Sequence, residues 1–142
     1  RIGWVVGPAS IVADVARVSI SNVVCQTGIA MNAVATAIND PNDGIATSVI
    51  ELQARRDLLL QELSDFTPVP PHGGWSFLID VSPLGIDGTI ASRKLLQAVD
   101  IAATSMVNWG TDRCKNYLRI VYSNESVSRL TGIGGRFRRA LL

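Results

Sequence analysis

Ile45-Ala46-Thr47-Ser48-Val49-Ile50-Glu51-Leu52-Gln53-Ala54-Arg55-Arg56-Asp57-Leu58-Leu59-Leu60-Gln61-Glu62-Leu63-Ser64-Asp65-Phe66 is the stretch that decides how the chain is organised. Ile45, Val49, Leu52, Leu59, Leu63 and Phe66 recur at steps of three and four, interrupted only by Arg56. That spacing lays them along one stripe of a helix. Glu51 and Arg55 stand four apart and are predicted to pair on the exposed side. The turn cluster Asp40-Pro41-Asn42-Asp43-Gly44 precedes the helix. Pro68, Pro70 and Pro71 follow it and stop it, because proline brings no backbone donor. A helix so bounded reads as a spacer between two structural regions.

Downstream, the pattern shifts toward strand. Trp75, Phe77, Ile79 and Val81 alternate with Ser76, Leu78 and Asp80, the period of two that a pleated strand requires. Ser82 to Gly88 reads as a loop. Thr89 to Ala98 reads as a helix with Ala91, Leu95 and Ala98 inward, and Val99 to Thr104 as a short strand. In Tyr117–Tyr122, Leu118, Ile120 and Tyr122 share one face, while Tyr117, Arg119 and Val121 share the other. Ser123 or Asn124 is the predicted cap of a last helix running toward Leu142. Gly132, Gly134 and Gly135 weaken that helix by up to ~1 kcal/mol each relative to Ala.

Upstream, Ile2-Gly3-Trp4-Val5-Val6 closed by Gly7-Pro8 reads as a buried strand. Ile11, Val15 and Val18 then share a helical face. Cys25 to Asn39 is rich in small residues and is expected to form a deeply packed helix. Val18 to Ile38 carries no charge and is long enough to span a bilayer. Its serines, threonines, asparagines and glutamine are too many for hydrocarbon, so the expectation is a buried helix. The order is therefore mixed α and β, with no internal repeat.

The 142 residues are about one domain and can bury a sizeable core without disulfides. A formal net charge of +1 argues against a general nucleic-acid binder. Cys25 and Cys114 make no disulfide framework, which points to a reducing, cytoplasmic setting. No signal peptide is read at the N-terminus. The chain opens on Arg1 and reads as a processed product or a piece of something longer.

No catalytic set assembles by motif logic alone. His72, the single histidine, lies in Pro71-His72-Gly73-Gly74 and reads as a turn residue. Zinc or redox use is not indicated, because the cysteines lack metal spacing. Gly132-Ile133-Gly134-Gly135 follows helical pattern rather than a strand, so it lacks the context of a phosphate loop. Arg136, Arg138 and Arg139 form a small basic cluster that reads either as a nucleic-acid patch or, in preference, as cations complementing the carbonyl end of the last helix. Arg55-Arg56 reads as a solvated face. Arg119 stands out: a guanidinium inside an apolar strand needs an anionic partner or a wet edge. Two readings remain open for it, an edge-strand arginine or a fork for a ligand carboxylate.

Arg1-Ile2-Gly3-Trp4-Val5-Val6-Gly7-Pro8 resembles the segment that follows the cofactor lysine in class I/II aminotransferases, the pyridoxal-phosphate enzymes of the aspartate aminotransferase fold (fold type I). Gln26 to Ala37 is similar to the family's small-residue helix. Arg55-Arg56-Asp57 resembles a run in its interdomain helix, and Pro71-His72-Gly73-Gly74-Trp75 with Leu78-Ile79-Asp80 its Pro-x-Gly-Gly-aromatic approach to a strand. Lys94-Leu95-Leu96 before Ile101-Ala102-Ala103 is similar to its next helix and strand. Trp109-Gly110, Leu118-Arg119-Ile120 and Arg129-Leu130 resemble its closing signature. The pieces run in order over essentially the whole chain.

The resemblance implies an α/β fold, mixed α+β in its small domain. Residues 1–44 would be the tail of the large cofactor domain, its last strand and helices. Residues 45–142 would be a long interdomain helix and the small C-terminal domain. It implies an enzyme transferring an amino group between an amino acid and a 2-oxo acid, with pyridoxal 5'-phosphate as cofactor, and a homodimer in the full-length protein. Neither nucleic acid nor membrane is an expected partner. Arg1 matches the arginine that binds the cofactor phosphate, and Arg119 the arginine that grips the substrate α-carboxylate. The family's cofactor-bearing lysine falls about eight residues before the position of Arg1, and Lys94 and Lys115 do not substitute for it. No catalytic residue or metal ligand is assigned within the chain, which is expected to be inactive alone. Thr104-Ser105-Met106 departs from the family's usual proline there, and Gly132 to Gly135 fall where a regular helix is usual. Two alternatives share the scaffold: a carbon–sulfur lyase using the same cofactor, and an effector-sensing domain of a transcription regulator.

Overall fold

The computed structural model describes residues 2–25 and 27–142. Arg1 and Gln26, which both carry parts of the sequence reading, lie outside the described residues. The chain divides into two compact units, the first ending at Ile45 and the second running from Ala46 to Leu142.

In the first unit, residues 2–7 form no strand, contrary to the sequence reading. Trp4 is 68 % exposed and Val6 89 %. A strand needs a neighbour to bond its backbone, and the described residues of this unit contain none. Pro8 stands just before helix α1 (Ala9–Asn22), whose first turn no side chain caps. The uncharged stretch beyond is not one buried helix. Val24 takes a left-handed φ of 63°, a single turn of tighter helix covers Gly28–Ala30, and α2 runs only over Met31–Asn39. Neither α1 nor α2 has a buried residue. The small side chains are therefore not packed deeply within this unit.

The second unit is built on helix α3 (Ile45–Glu62), which is shorter than predicted: the apolar stripe continues past it through Leu63 into a turn of tighter helix, Ser64–Phe66, and only its C-terminal half is covered. Leu59, Leu63 and Phe66 are buried, Leu52 is half-buried, and Ile45 and Val49 are exposed. Thr67 turns left-handed, and Pro68 opens β1 (Pro68–Val69). Then come β2 (Ser76–Asp80), α4 (Gly88–Val99), β3 (Thr104–Ser105), β4 (Tyr117–Val121), α5 (Val127–Leu130) and α6 (Ile133–Leu141). The sheet order is β1-β2-β4-β3, every pair antiparallel.

Phe77 and Ile79 oppose Ile120 and Leu118 on one sheet face. All four are buried in a cluster that also holds Leu59, Leu95 and Phe137 from α3, α4 and α6. Phe66 meets Phe137 edge to face, with ring centroids 5.6 Å apart, a geometry that adds about 0.5–1.5 kcal/mol beyond burial. The result is a two-layer unit, helices on one side of a four-stranded sheet.

Three local readings shift by a few residues. Asp87 caps α4 by accepting from Ile90 N at 2.8 Å, and Val99 rather than Ala98 is buried at the helix end. Asp100 then adopts a left-handed φ of 55°. The N–H groups of Asp100 and Ile101 turn back to Leu96 O and Leu95 O. These bonds close the helix, so the predicted strand from Val99 shrinks to Thr104–Ser105. The last helix is split in two. Ser126, not Ser123 or Asn124, caps α5, and Gly132 at φ 80° redirects the chain into α6.

Candidate functional site

Arg119 is at the centre of the sheet. Leu78 of β2 opposes it on one side and Thr104 of β3 on the other. β4 is an interior strand, which removes the edge-strand reading. The alternation that buries Leu118 and Ile120 turns Arg119 to the opposite face, the one shared by Leu78, Tyr117 and Val121.

On that face the guanidinium has little company of its own kind. Its Nε is buried and has no hydrogen-bond partner among the described residues. No ion pair to Arg119 occurs among the described residues. Asp80 lies two residues along β2 on the same face, but its Oδ1 already accepts from Ser82 N at 2.8 Å. The Trp109 ring does lie against it, with its centroid 4.5 Å from Arg119 Cζ. Trp109 comes from the loop between β3 and β4. Met106 N donates to Tyr117 O at 3.1 Å and Trp109 N to Met106 O at 3.0 Å, tying that loop back to the strand. A buried donor without an acceptor is costly in a native protein. The in-plane donors of a guanidinium can hold a planar anion by two parallel bonds.

The other predicted groups are occupied or apart. His72 is exposed in the turn before β2, beside a shallow cleft that also takes in Val49, Arg56 and Trp75. Cys25 and Cys114 are free thiols, and no cluster of three metal-binding side chains occurs among the described residues. The glycine run is no phosphate cradle. The N–H groups of Gly132 and Gly134 donate to Glu62 at 2.8 and 3.0 Å, so a carboxylate of the chain itself fills that helix N-terminus. Those bonds hold the Glu62 carboxyl below the usual carboxylate range.

Two arginine readings are corrected. Arg136 donates to Val99 O, so it serves the carbonyl end of α4, not of its own helix, while Arg138 pairs with Asp65 at 2.7 Å. Arg55 is not solvated. It is 8 % exposed, pairs with Glu51, and donates to Ser123 O at 2.5 Å and Tyr122 O at 3.5 Å. The predicted Glu51–Arg55 pair forms, but its arginine points inward. Trp109 and Glu62 were missed as partners. Their signals are long-range pairings, which local spacing does not carry.

Comparison with known proteins bears on the site. A family model described as aminotransferase class I and II matches residues 1–132. The arginine–pyruvate transaminase of Pseudomonas aeruginosa is 28 % identical over 99 residues, which are 68 % of this chain and 25 % of that protein. Among solved structures, the aspartate aminotransferase of Thermus thermophilus with maleate aligns at 29 % identity and TM-score 0.73, covering 95 % of this chain and 35 % of that one. The aromatic aminotransferase of Pyrococcus horikoshii aligns at TM-score 0.76 and 22 % identity, over 94 % of this chain and 36 % of that one, a likeness of fold alone. The chain thus spans between a quarter and a little over a third of these relatives' lengths.

Proposed function

The chain belongs to the class I and II aminotransferases, and from that premise we propose that it is part of an enzyme moving an amino group between an amino acid and a 2-oxo acid. The observation that carries this reading is the buried Nε of Arg119 on the sheet face turned from the core, without a hydrogen-bond partner or a paired acid among the described residues. We assign Arg119 to the substrate α-carboxylate, a group common to donor and acceptor. An anchor on that group fixes the rest of the substrate in one orientation.

Pyridoxal phosphate would supply the electron sink that such chemistry needs. We assign its phosphate to Arg1, which lies outside the described residues. The second unit offers no competing phosphate site at α6, where Glu62 takes the free N–H groups. We read residues 1–44 as the tail of the cofactor domain and 45–142 as connecting helix and small domain, a reading supported by the boundary of the compact units at Ile45. Lys94 on α4 and Lys115 before β4 are both exposed. Neither is assigned the cofactor, so this stretch alone is proposed to be inactive. A homodimer and a reducing, cytoplasmic setting complete the reading, the latter supported by the two free thiols. The lyase and regulator readings have no observation in their favour.

The test is Arg119→Ala in the full-length protein loaded with cofactor. Loss of charge-assisted hydrogen bonds worth about 1.5–3 kcal/mol should raise KM for amino acid and 2-oxo acid by about 10- to 100-fold. Steady-state kinetics in both directions measures this. Unchanged KM for both substrates would refute the assignment.

A further inference from the structure

Arg119 has a fixed base and a head that pairs with no acid among the described residues. Its Cα is pinned in an interior strand between Leu78 and Thr104, but pairing of the backbone does not by itself fix a long side chain, whose ordering costs entropy. Among the described residues its Nε has no hydrogen-bond partner. The Trp109 ring covers one face of the guanidinium. Trp109 is itself 57 % exposed and belongs to no part of the core cluster.

We propose that Trp109 is a positioning residue: its ring fixes the plane of the Arg119 guanidinium so that the in-plane donors face an incoming carboxylate. This rests on the assignment of Arg119 to that carboxylate. The physics is specific. The negative face of an aromatic ring attracts the cation, while the N–H donors lie in the guanidinium plane and remain free for a carboxylate. An acid in the place of Trp109 would neutralise Arg119 and occupy those donors. The ring restrains the cation without competing for its hydrogen bonds. It also keeps water from one side, which strengthens the ion pair that forms on the edge. The cation is held before the substrate arrives, so less rotamer freedom is lost on binding.

The experiment compares Trp109→Phe and Trp109→Leu in the full-length holoenzyme, each with Arg119 intact and with Arg119→Ala. Phenylalanine keeps a ring face; leucine keeps apolar bulk without one. Trp109→Leu should raise KM for amino acid and 2-oxo acid by about 3- to 30-fold, the worth of a cation–π contact. Its kcat should stay within about twofold, because the carboxylate is bound alike in ground and transition states. Trp109→Phe should recover most of the loss. With Arg119→Ala present, Trp109→Leu should add nothing. The dissociation constant of maleate, an unreactive carboxylate, should follow the same pattern and needs no turnover.

A leucine variant as good as wild type, or an equal loss in both variants, overturns the proposal. So does a loss that persists without Arg119, which would mark a purely structural ring. If Arg119→Ala weakens substrate binding while Trp109→Leu does not, only the role of Trp109 falls. If Arg119→Ala itself changes nothing, both fall.

Discussion

Glu62 ends helix α3, yet its carboxylate belongs to the start of α6. It accepts from Gly132 N and Gly134 N, two donors that a helix start leaves unbonded. The approach is close: a Cβ at position 134 would lie 2.1 Å from Glu62 O. So the glycines do not merely weaken a helix. Gly132 turns the chain at φ 80°, and Gly134 lets α6 dock on the end of α3. The two backbone bonds lower the Glu62 pKa, and Arg138 adds to the effect against partial desolvation. A carboxyl lowered on folding contributes stability that is complete above its unfolded value of about 4.3. That contribution is lost as pH falls through the lowered folded value. Glu62→Gln should therefore cost about 1–2 kcal/mol at neutral pH, as the loss of a charged cap does. Urea unfolding at a series of pH values checks the sign: wild type and variant should converge as pH falls below the usual carboxylate range. A gap that stays constant with pH would contradict it.

Strands whose pattern is local are legible in the amino-acid sequence. The period of two in Ser76–Asp80 and Tyr117–Val121 placed both strands and their buried faces. It also turned Arg119 away from the core. What local pattern could not show is strand order. That β4 is interior depends on β2 and β3, which pair with it from different parts of the chain. The same limit explains Arg55. Its helical position beside Arg56 suggests solvent. It is buried because the chain leaving β4 brings the carbonyls of Tyr122 and Ser123 over α3, 67 and 68 residues away. A long cation that answers two carbonyls at the end of a strand is a tie between layers. Arg55→Met keeps the apolar stem and removes the donors. It should cost about 1–3 kcal/mol, the penalty for leaving buried acceptors unpaired. A fall in the urea midpoint at unchanged slope is the expected signature. An unchanged midpoint would mean that water replaces the guanidinium without cost.

The whole molecule is uneven in where its apolar surface is covered. Every residue of the buried core cluster lies in the second unit, from Leu59 to Leu141. In the first unit Trp4, Val6, Ile11, Val18, Val24 and Ile29 are all exposed, and no described residue is buried. Composition could not reveal this, because the apolar residues are present in both units and only one has a sheet to pack them against. Hydrophobic burial is the main force opposing chain entropy, so the two stretches should behave differently when separated. Residues 46–142 alone should unfold cooperatively, with a calorimetric enthalpy near the ~0.7 kcal/mol per residue usual for a globular domain around 60 °C. Residues 1–45 alone should show no such transition. Fraying helices in that peptide would still give a helical circular dichroism signal, since propensity needs no core, but it would decline gradually on heating. Calorimetry on the two pieces decides the matter. A sharp transition in the shorter piece would show that its exposed apolar residues find a core of their own. A broad one in the longer piece would show that the two-layer unit depends on residues that precede Ala46.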